Sequence, residues 1–470
     1  MRRVRGRIRS SPSFRLLPDG LLSRQNAQLV LLLTVSNALT STIAHGHLFS
    51  AFIFELFGDN TSVGLVDSVS GVTSLLVAVP VGYAVDTFSR PRLLRWCAVV
   101  GLVAAVLGGL SVVLGPYAVT GPLGERTHPG FGYMALLCAS LVAWGLFWNA
   151  SSSAALALFA DSVPSGHCRR ELYATKSTLQ FLSLAAGPLL ALFLNVLLGN
   201  DWKLEHMSYA LLPGFLIMPV SCLLLTLFEE VGIPRTDDKR EPLLATEHAD
   251  IVASAPETGL DRMPCALRAA SVPYLMLAAE LIAAVGAGMT VKFFGLWFKN
   301  VYNFTPAGLS AMQATSPFAI AIAVQALQRT AKVCPLGPVP VVLAFWVAGV
   351  AMLLAMLRIS DWRLLVVLHL LRTSLINAKE PISRAILADF IPSSQRGRWN
   401  SLHSLTGMTW TGSAAFGGML CDRHGYGTTF AWTAAFYLVA ACCWIPLIRL
   451  VPREPKKADE GSDLEQRKVA

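Results

Sequence analysis

One apolar stretch of the sequence carries charged residues that could bind a solute or an ion. Residues 376–393 read INAKEPISRAILADFIPS and place Lys379, Glu380 and Arg384 inside a run that is long enough to cross a membrane. A charge at the bilayer centre costs at least ~2.5–3.5 kcal/mol, so each one needs a partner or a watery cavity. We therefore predict that these residues line a solute pathway.

Other polar groups of the apolar runs fall at helical spacings around them. Glu380 and Arg384 are i,i+4 neighbours that can neutralise each other, whereas Arg372 and Lys379 share another face. Glu280 lies at a similar depth in a different run, which makes a Glu280–Lys379 ion pair reasonable. That pair would either lock the packing or break and re-form during transport, and both readings stay open. Further candidate hydrogen-bonding groups are Asn37, Asn149 and Asn377.

Five more polar residues are expected to have minor roles. Glu55 and Asp67 fall near the ends of their runs and are expected at the membrane interface. Lys292 can extend its ammonium to the headgroups. His45 and His47 are two residues apart on a helix and cannot easily share one metal, so we expect them to pack.

The composition indicates which elements must position these residues. Only 14% of the 470 residues are charged, against about 25% in soluble domains. Long apolar runs recur, and only helices satisfy their own backbone in lipid without a closed barrel. We predict an all-α membrane protein with twelve transmembrane helices, at 28–57, 62–86, 92–116, 131–160, 171–199, 207–228, 272–299, 305–328, 337–357, 362–390, 399–421 and 428–450.

The runs divide into two groups of six. The predicted organisation is a basic tail (1–27), a six-helix bundle (28–228), a polar linker (229–271), a second six-helix bundle (272–450) and a C-terminal tail (451–470). Lys and Arg concentrate on one side if the N-terminus is inside, so both termini are expected in the cytoplasm. The basic tail could instead be an organelle transit peptide, and the sequence does not distinguish a plasma membrane from an organelle membrane.

An internal repeat supports this division. The motif ADFIPS at 388–393 has a counterpart, ADSVPS, at 160–165, and a basic turn follows each copy. The fourth and tenth spans therefore correspond, as in parallel repeats. At this offset Lys379, Glu380 and Arg384 match uncharged residues, which favours a functional role for the charges.

A second motif links the chain to a known family. Residues 80–95 read PVGYAVDTFSRPRLLR, in which Gly82 permits close helix packing, Asp86 marks the membrane exit, and Arg90 and Arg92 hold the turn. With two sets of six spans and a central linker, this resembles the major facilitator superfamily, whose loop motif is G-x-x-x-D-[RK]-x-G-R-[RK]. Thr87 and Ser89 depart from that motif.

The resemblance implies secondary transport by rocker-switch alternating access around a cavity lined by spans 1, 4, 7 and 10. It also implies an inner latch that closes when the inner side is shut. The residues assigned to that latch are Gly82, Asp86, Arg90, Arg92, Asp161, Asp389, Arg396 and Arg398.

The predicted function is a carrier for a small polar or anionic organic solute, with proton coupling through Glu280 or Glu380 as an option. A solute-binding membrane sensor is one alternative. A membrane-embedded enzyme is another, although no nucleophile–base motif is found. We expect a monomer in a lipid bilayer that uses no cofactor or metal and binds no nucleic acid, since the net charge of +9 is explained by cytoplasmic loops.

Overall fold

The described part of the chain forms helices in the computed structural model. It comprises residues 25–120, 125, 127–162, 167–229, 265–391, 399, 406, 407 and 409–451. We number its helices α1 Gln25–Ala44, α2 His47–Phe57, α3 Asn60–Thr87, α4 Arg90–Ala118, α5 Phe131–Ser162, α6 His167–Leu197, α7 Leu204–Thr226, α8 Cys265–Gly288, α9 Val291–Tyr302, α10 Pro306–Val333, α11 Pro338–Met356, α12 Trp362–Asn377, α13 Glu380–Phe390, α14 Ala414–Trp444 and α15 Leu447–Leu450. No β-strand occurs within these ranges.

Ten helical stretches of the described residues are long and apolar enough to cross a membrane. Nine of them match the first nine predicted spans, and Thr409–Leu450 covers residues 409–421 of the eleventh and all of the twelfth, joined at Gly425 with φ +79°. The predicted tenth span is not among the ten because α12 and α13 are short and charged.

Several of the long helices are interrupted in the middle, where their backbone groups can face a cavity. The breaks lie between α1 and α2 at Gly46, between α8 and α9 at Thr290, and between α12 and α13 at Lys379. Pro381 accounts for the last of these, since proline has no N–H to donate to the carbonyl four residues earlier. A proline at this position predicts a helix break beside the charges of 379–384, and the structure has one there.

The buried residues form three clusters. One belongs to α8–α15 and contains Trp346, Trp444 and Phe430. A second belongs to α1, α3, α4, α5 and α7. The third joins α2–α5 and α7 to Phe293 of α9 and Cys421 of α14, so it spans both groups of helices at one end of the bundle.

Small residues allow the two groups of helices to approach closely. A side chain at Gly64 or Gly71 of α3 would overlap Ala414 or Thr411 of the other group, and one at Gly187 of α6 would overlap Thr42 of α1 within the first group. Such contacts matter in lipid because helix association there depends on close packing and polar contacts. A side chain at Gly82 would meet no described atom within 4 Å, and the close packing expected there stays a prediction.

Candidate functional site

A cavity of about 600 Å³ lies between the two groups of helices, a volume within the usual range for small-molecule sites. Segments of α1, α2 and α6 form one wall, and segments of α8–α14 contribute the rest. Five of the eight candidate solute- or ion-binding residues line it: Glu280, Arg372, Asn377, Lys379 and Glu380. Arg384, Asn37 and Asn149 are not among its lining residues.

Arg372 is the most buried charge of the cavity wall, with 4% of the residue exposed. Its Nη2 atom donates a hydrogen bond to the hydroxyl of Tyr437 at 3.3 Å. Its guanidinium carbon lies 4.7 Å from the ring centroid of Phe294. The Nε atom has no hydrogen-bond partner among the described residues.

Lys379 also contacts aromatic rings. Its ammonium lies 4.4 Å from the ring centroid of Trp346 and 5.9 Å from that of Trp444. The ion pairs of the described residues do not include a Glu280–Lys379 pair. The prediction of a direct Glu280–Lys379 ion pair is therefore wrong, although both side chains line the same cavity. Lys379 lies at the helix break between α12 and α13. From there its side chain reaches the aromatic residues of α11 and α14, and its ammonium contacts these rings in place of Glu280.

The predicted pair within α13 is confirmed. Arg384 Nε donates to Glu380 Oε1 at 2.7 Å, with the two residues four positions apart. Both side chains are more than 40% exposed, and exposed i,i+4 pairs contribute only ~0.3–0.5 kcal/mol. The bond orients the Glu380 carboxylate more than it stabilises the fold.

Sequence reasoning missed a buried ion pair across the two helix groups. The Lys292 ammonium lies 3.0 Å from Asp67 Oδ1 and donates to the carbonyl of His45 at 3.2 Å. Both side chains are less than one-fifth exposed, so Asp67 holds the Lys292 ammonium inside the protein, and the expectation that Lys292 extends to the headgroups is corrected. No local pattern could have revealed this pair, since α3 and α9 lie more than 200 residues apart in the chain.

Two of the cavity histidines, His45 and His369, pack against aromatic rings, which was the expectation for His45. His45 stacks on Trp144 with a centroid distance of 4.2 Å. His369 of α12 makes an edge contact with Phe294 at 4.8 Å. No group of three potential metal ligands occurs in the part of the chain that the structure describes.

One end of the cavity is closed by polar contacts between the helix groups, and we call it the Asp422 end. The Asp422 carboxylate accepts four hydrogen bonds from the start of α3: from the backbone N–H groups of Asn60 and Thr61 at 3.0 and 2.7 Å, and from their side chains at 2.7 and 2.5 Å. The first N–H groups of a helix lack intrahelical partners and favour an anion. The carboxylate thus caps a helix of the other group.

Further contacts join the groups at this end. Lys299 Nζ lies 2.5 Å from Glu55 Oε1, and the Tyr426 hydroxyl donates to Asn60 Oδ1 at 2.8 Å. Trp202 donates to the carbonyl of Phe304 at 2.9 Å. These ties connect segments that are far apart in sequence, which is what a closed gate requires.

The loop before α7 lies beside the same end, outside the candidate spans. Lys203 Nζ lies 2.8 Å from Asp201 Oδ2, and His206 Nδ1 lies 2.6 Å from Asp201 Oδ1. The hydrogen bond from Lys203, with that from His206, lowers the pKa of Asp201 from 3.8 to about 2.

The residues assigned to the inner latch remain predictions. Arg92 is exposed and Arg90 is partly buried at the start of α4. Asp86, Asp161 and Asp389 lie in helices, but their side chains are outside the described residues, and Arg396 and Arg398 lie outside them altogether.

A bundle of long apolar helices around a polar cavity that is closed at one end defines the class of multi-pass membrane transporters. The family model of the Major Facilitator Superfamily matches residues 30–333. The chain belongs to this superfamily.

Solved transporters share the fold at low sequence identity. A bacterial homologue of the iron transporter ferroportin, inward-facing, has 13% identity and a TM-score of 0.62 over 92% of this chain and 100% of that chain. An inward-facing, unoccupied bacterial homologue of the human lysosomal transporter Spinster has 14% identity and a TM-score of 0.61 over 92% and 98%. A D-xylose-proton symporter has 14% identity and a TM-score of 0.61 over 91% and 98%. No curated protein matches the sequence.

Proposed function

We propose that this protein is a secondary transporter that moves a small polar or anionic organic solute by rocker-switch alternating access. The observation that carries the proposal is a charged cavity between two helix groups that are tied together at the Asp422 end. A carrier must hold its solute in such a cavity and close one end at a time.

The proposed architecture has twelve spans in two bundles, 28–228 and 272–450, joined by the linker 229–271. Both termini lie in the cytoplasm, which puts the Asp422 end outside. The conformation is then closed to the outside. Two of the structural neighbours quoted above are inward-facing, which supports this assignment.

In the proposed cycle, the ties at the Asp422 end break while the inner latch forms. Asp86 with Arg90 or Arg92 closes the inner side, together with the basic turn that holds Arg396 and Arg398. Glu280 and Glu380 are the carboxylates of the cavity wall and would carry protons if transport is proton-coupled. The Lys292–Asp67 pair crosses between the bundles and would have to break as they move apart.

The test is uptake into proteoliposomes of a panel of organic anions, sugars and amino acids, with and without a pH gradient. Saturable uptake of one class supports a carrier, and dependence on the gradient supports proton coupling. Solute-induced thermal stabilisation without flux of any class would contradict transport and indicate a sensor.

A further inference from the structure

Two cations of the cavity wall have aromatic partners in place of carboxylates. Arg372 contacts Phe294 and Tyr437, and Lys379 contacts Trp346 and Trp444. Neither cation occurs in an ion pair of the described residues. They lie seven residues apart along the same run, and both line the cavity.

Two other charges of the wall, Lys292 and Glu380, differ in this respect. Lys292 is paired with Asp67, and Glu380 is paired with Arg384. A cation over a ring is stabilised electrostatically, but the ring provides no negative charge; the Tyr437 hydroxyl accepts from Nη2 of Arg372, and Nε is left without a partner among the described residues. The wall around α12 thus keeps a positive charge with free hydrogen-bonding capacity.

Unsatisfied polar atoms cluster on the same helix face. Nδ1 of His369, Nε of Arg372 and Oγ1 of Thr373 are buried and have no hydrogen-bond partner within the described residues. These residues are at positions i, i+3 and i+4 of α12 and line the cavity together. Buried polar groups are nearly always hydrogen-bonded, so this cluster is arranged to be completed by a molecule in the cavity.

The remaining wall is mostly apolar and selects the body of that molecule. It includes Leu48, Leu184, Pro188, Ala287, Leu309 and Ile320. Ser41, Thr42, Ser310, Gln313 and Ser316 add polar groups elsewhere in the wall. Against the apolar part, the hydroxyl groups of a sugar or nucleoside would be unpaired, and each unpaired buried group weakens binding. An apolar body with one anionic end fits both parts of the wall.

We propose that the cavity binds an organic carboxylate with an apolar body, whose carboxylate is held by Arg372, Thr373 and His369. A guanidinium edge matches a carboxylate with two parallel hydrogen bonds. Lys379, at the helix break, provides the second positive charge of the site. This inference rests on the proposed function and narrows its solute to one chemical class.

Binding to the purified full-length protein in detergent tests the proposal. The probes are 4-phenylbutyrate, its uncharged amide, 3-phenylpropylammonium and D-xylose, with thermal stabilisation and calorimetric titration as readouts. The carboxylate should stabilise the protein and bind at least about tenfold more tightly than the amide, because charged hydrogen bonds are lost in the amide. Equal binding of acid and amide would overturn the proposal without any variant.

Two variants localise the carboxylate. Arg372→Gln should weaken 4-phenylbutyrate binding at least about tenfold, while its unliganded melting temperature stays at or above that of the wild type because an uncompensated buried charge is removed. Arg363→Gln is the matched control on the same helix, since Arg363 is exposed over Trp362, and it should bind as the wild type does. Unchanged binding by Arg372→Gln would refute the assignment.

The binding assay separates this inference from transport. Carboxylate binding without flux in proteoliposomes would support the site and contradict the carrier. Saturable uptake of D-xylose with no carboxylate binding would support the carrier and overturn the anion site.

Discussion

The closing contact at Asp422 gives the sharpest prediction about the conformational equilibrium. Asp422→Asn keeps one acceptor oxygen, so two of the four hydrogen bonds to the start of α3 are lost, together with the negative charge. Asp422 is exposed, and water can replace part of what is lost. Two hydrogen bonds at the low end of ~0.5 kcal/mol each and a charge–dipole loss of ~0.3 kcal/mol total about 1.3 kcal/mol.

That loss acts on the closed state alone, because opening the Asp422 end separates α14 from α3. The ratio of closed to open molecules should therefore fall roughly tenfold. Spin labels at Thr120 and Arg358, in a background without the nine native cysteines, would report the distance across this end by double electron–electron resonance. The variant should show a longer-distance population that the wild type lacks or holds at a much lower level.

A matched control lies at the same end. Asp361 caps α12 by accepting from the N–H of Arg363 at 3.0 Å, so Asp361→Asn weakens a cap without touching the interface. Its distance distribution should equal that of the wild type. If Asp422→Asn also gives the wild-type distribution, the reasoning that this carboxylate holds the gate shut is refuted.

Three further predictions concern stability in detergent. Glu55→Gln removes the negative charge that lies 2.5 Å from the Lys299 ammonium. The free energy of unfolding should fall by about 2–4 kcal/mol, less than for a fully buried pair, because Glu55 is 22% exposed. Thermal unfolding measures this loss. Gly187→Ala should cost ~1–3 kcal/mol through overlap with Thr42, and Thr42→Ala should restore part of it. The stability that Asp201 contributes relative to Asp201→Asn should be complete above about pH 3.8 and vanish as the pH falls through about 2, since its pKa is lowered on folding.

Each of these has its own control. Glu205→Gln changes an exposed acid at the same end, and a loss as large as that of Glu55→Gln would contradict the pairing argument. Gly109→Ala would add a side chain whose nearest neighbour is 3.8 Å away, and it should be nearly neutral. A difference between the wild type and Asp201→Asn that persists unchanged below pH 2 would exclude the carboxylate as its source.

The sequence alone predicted the features that depend only on neighbouring residues. Long apolar runs gave nearly all the spanning helices, because length and hydropathy are properties of one segment. The break beside Pro381 and the Glu380–Arg384 pair were predictable as well, since backbone chemistry and i,i+4 spacing involve only a few neighbouring residues.

Tertiary structure decided which faces meet, and it changed the assignment of the charges. A helix that is apolar on all sides gives no periodic signal for its rotation about its own axis. The spacing of residues therefore could not predict three contacts. Lys379 contacts the ring of Trp346, Asp67 pairs with Lys292 of α9, and Asp422 accepts hydrogen bonds from the start of α3. The sequence determined that charges lie within the membrane-spanning runs, and only the packing of helices hundreds of residues apart decided which of those charges have an ionic partner and which contact aromatic rings.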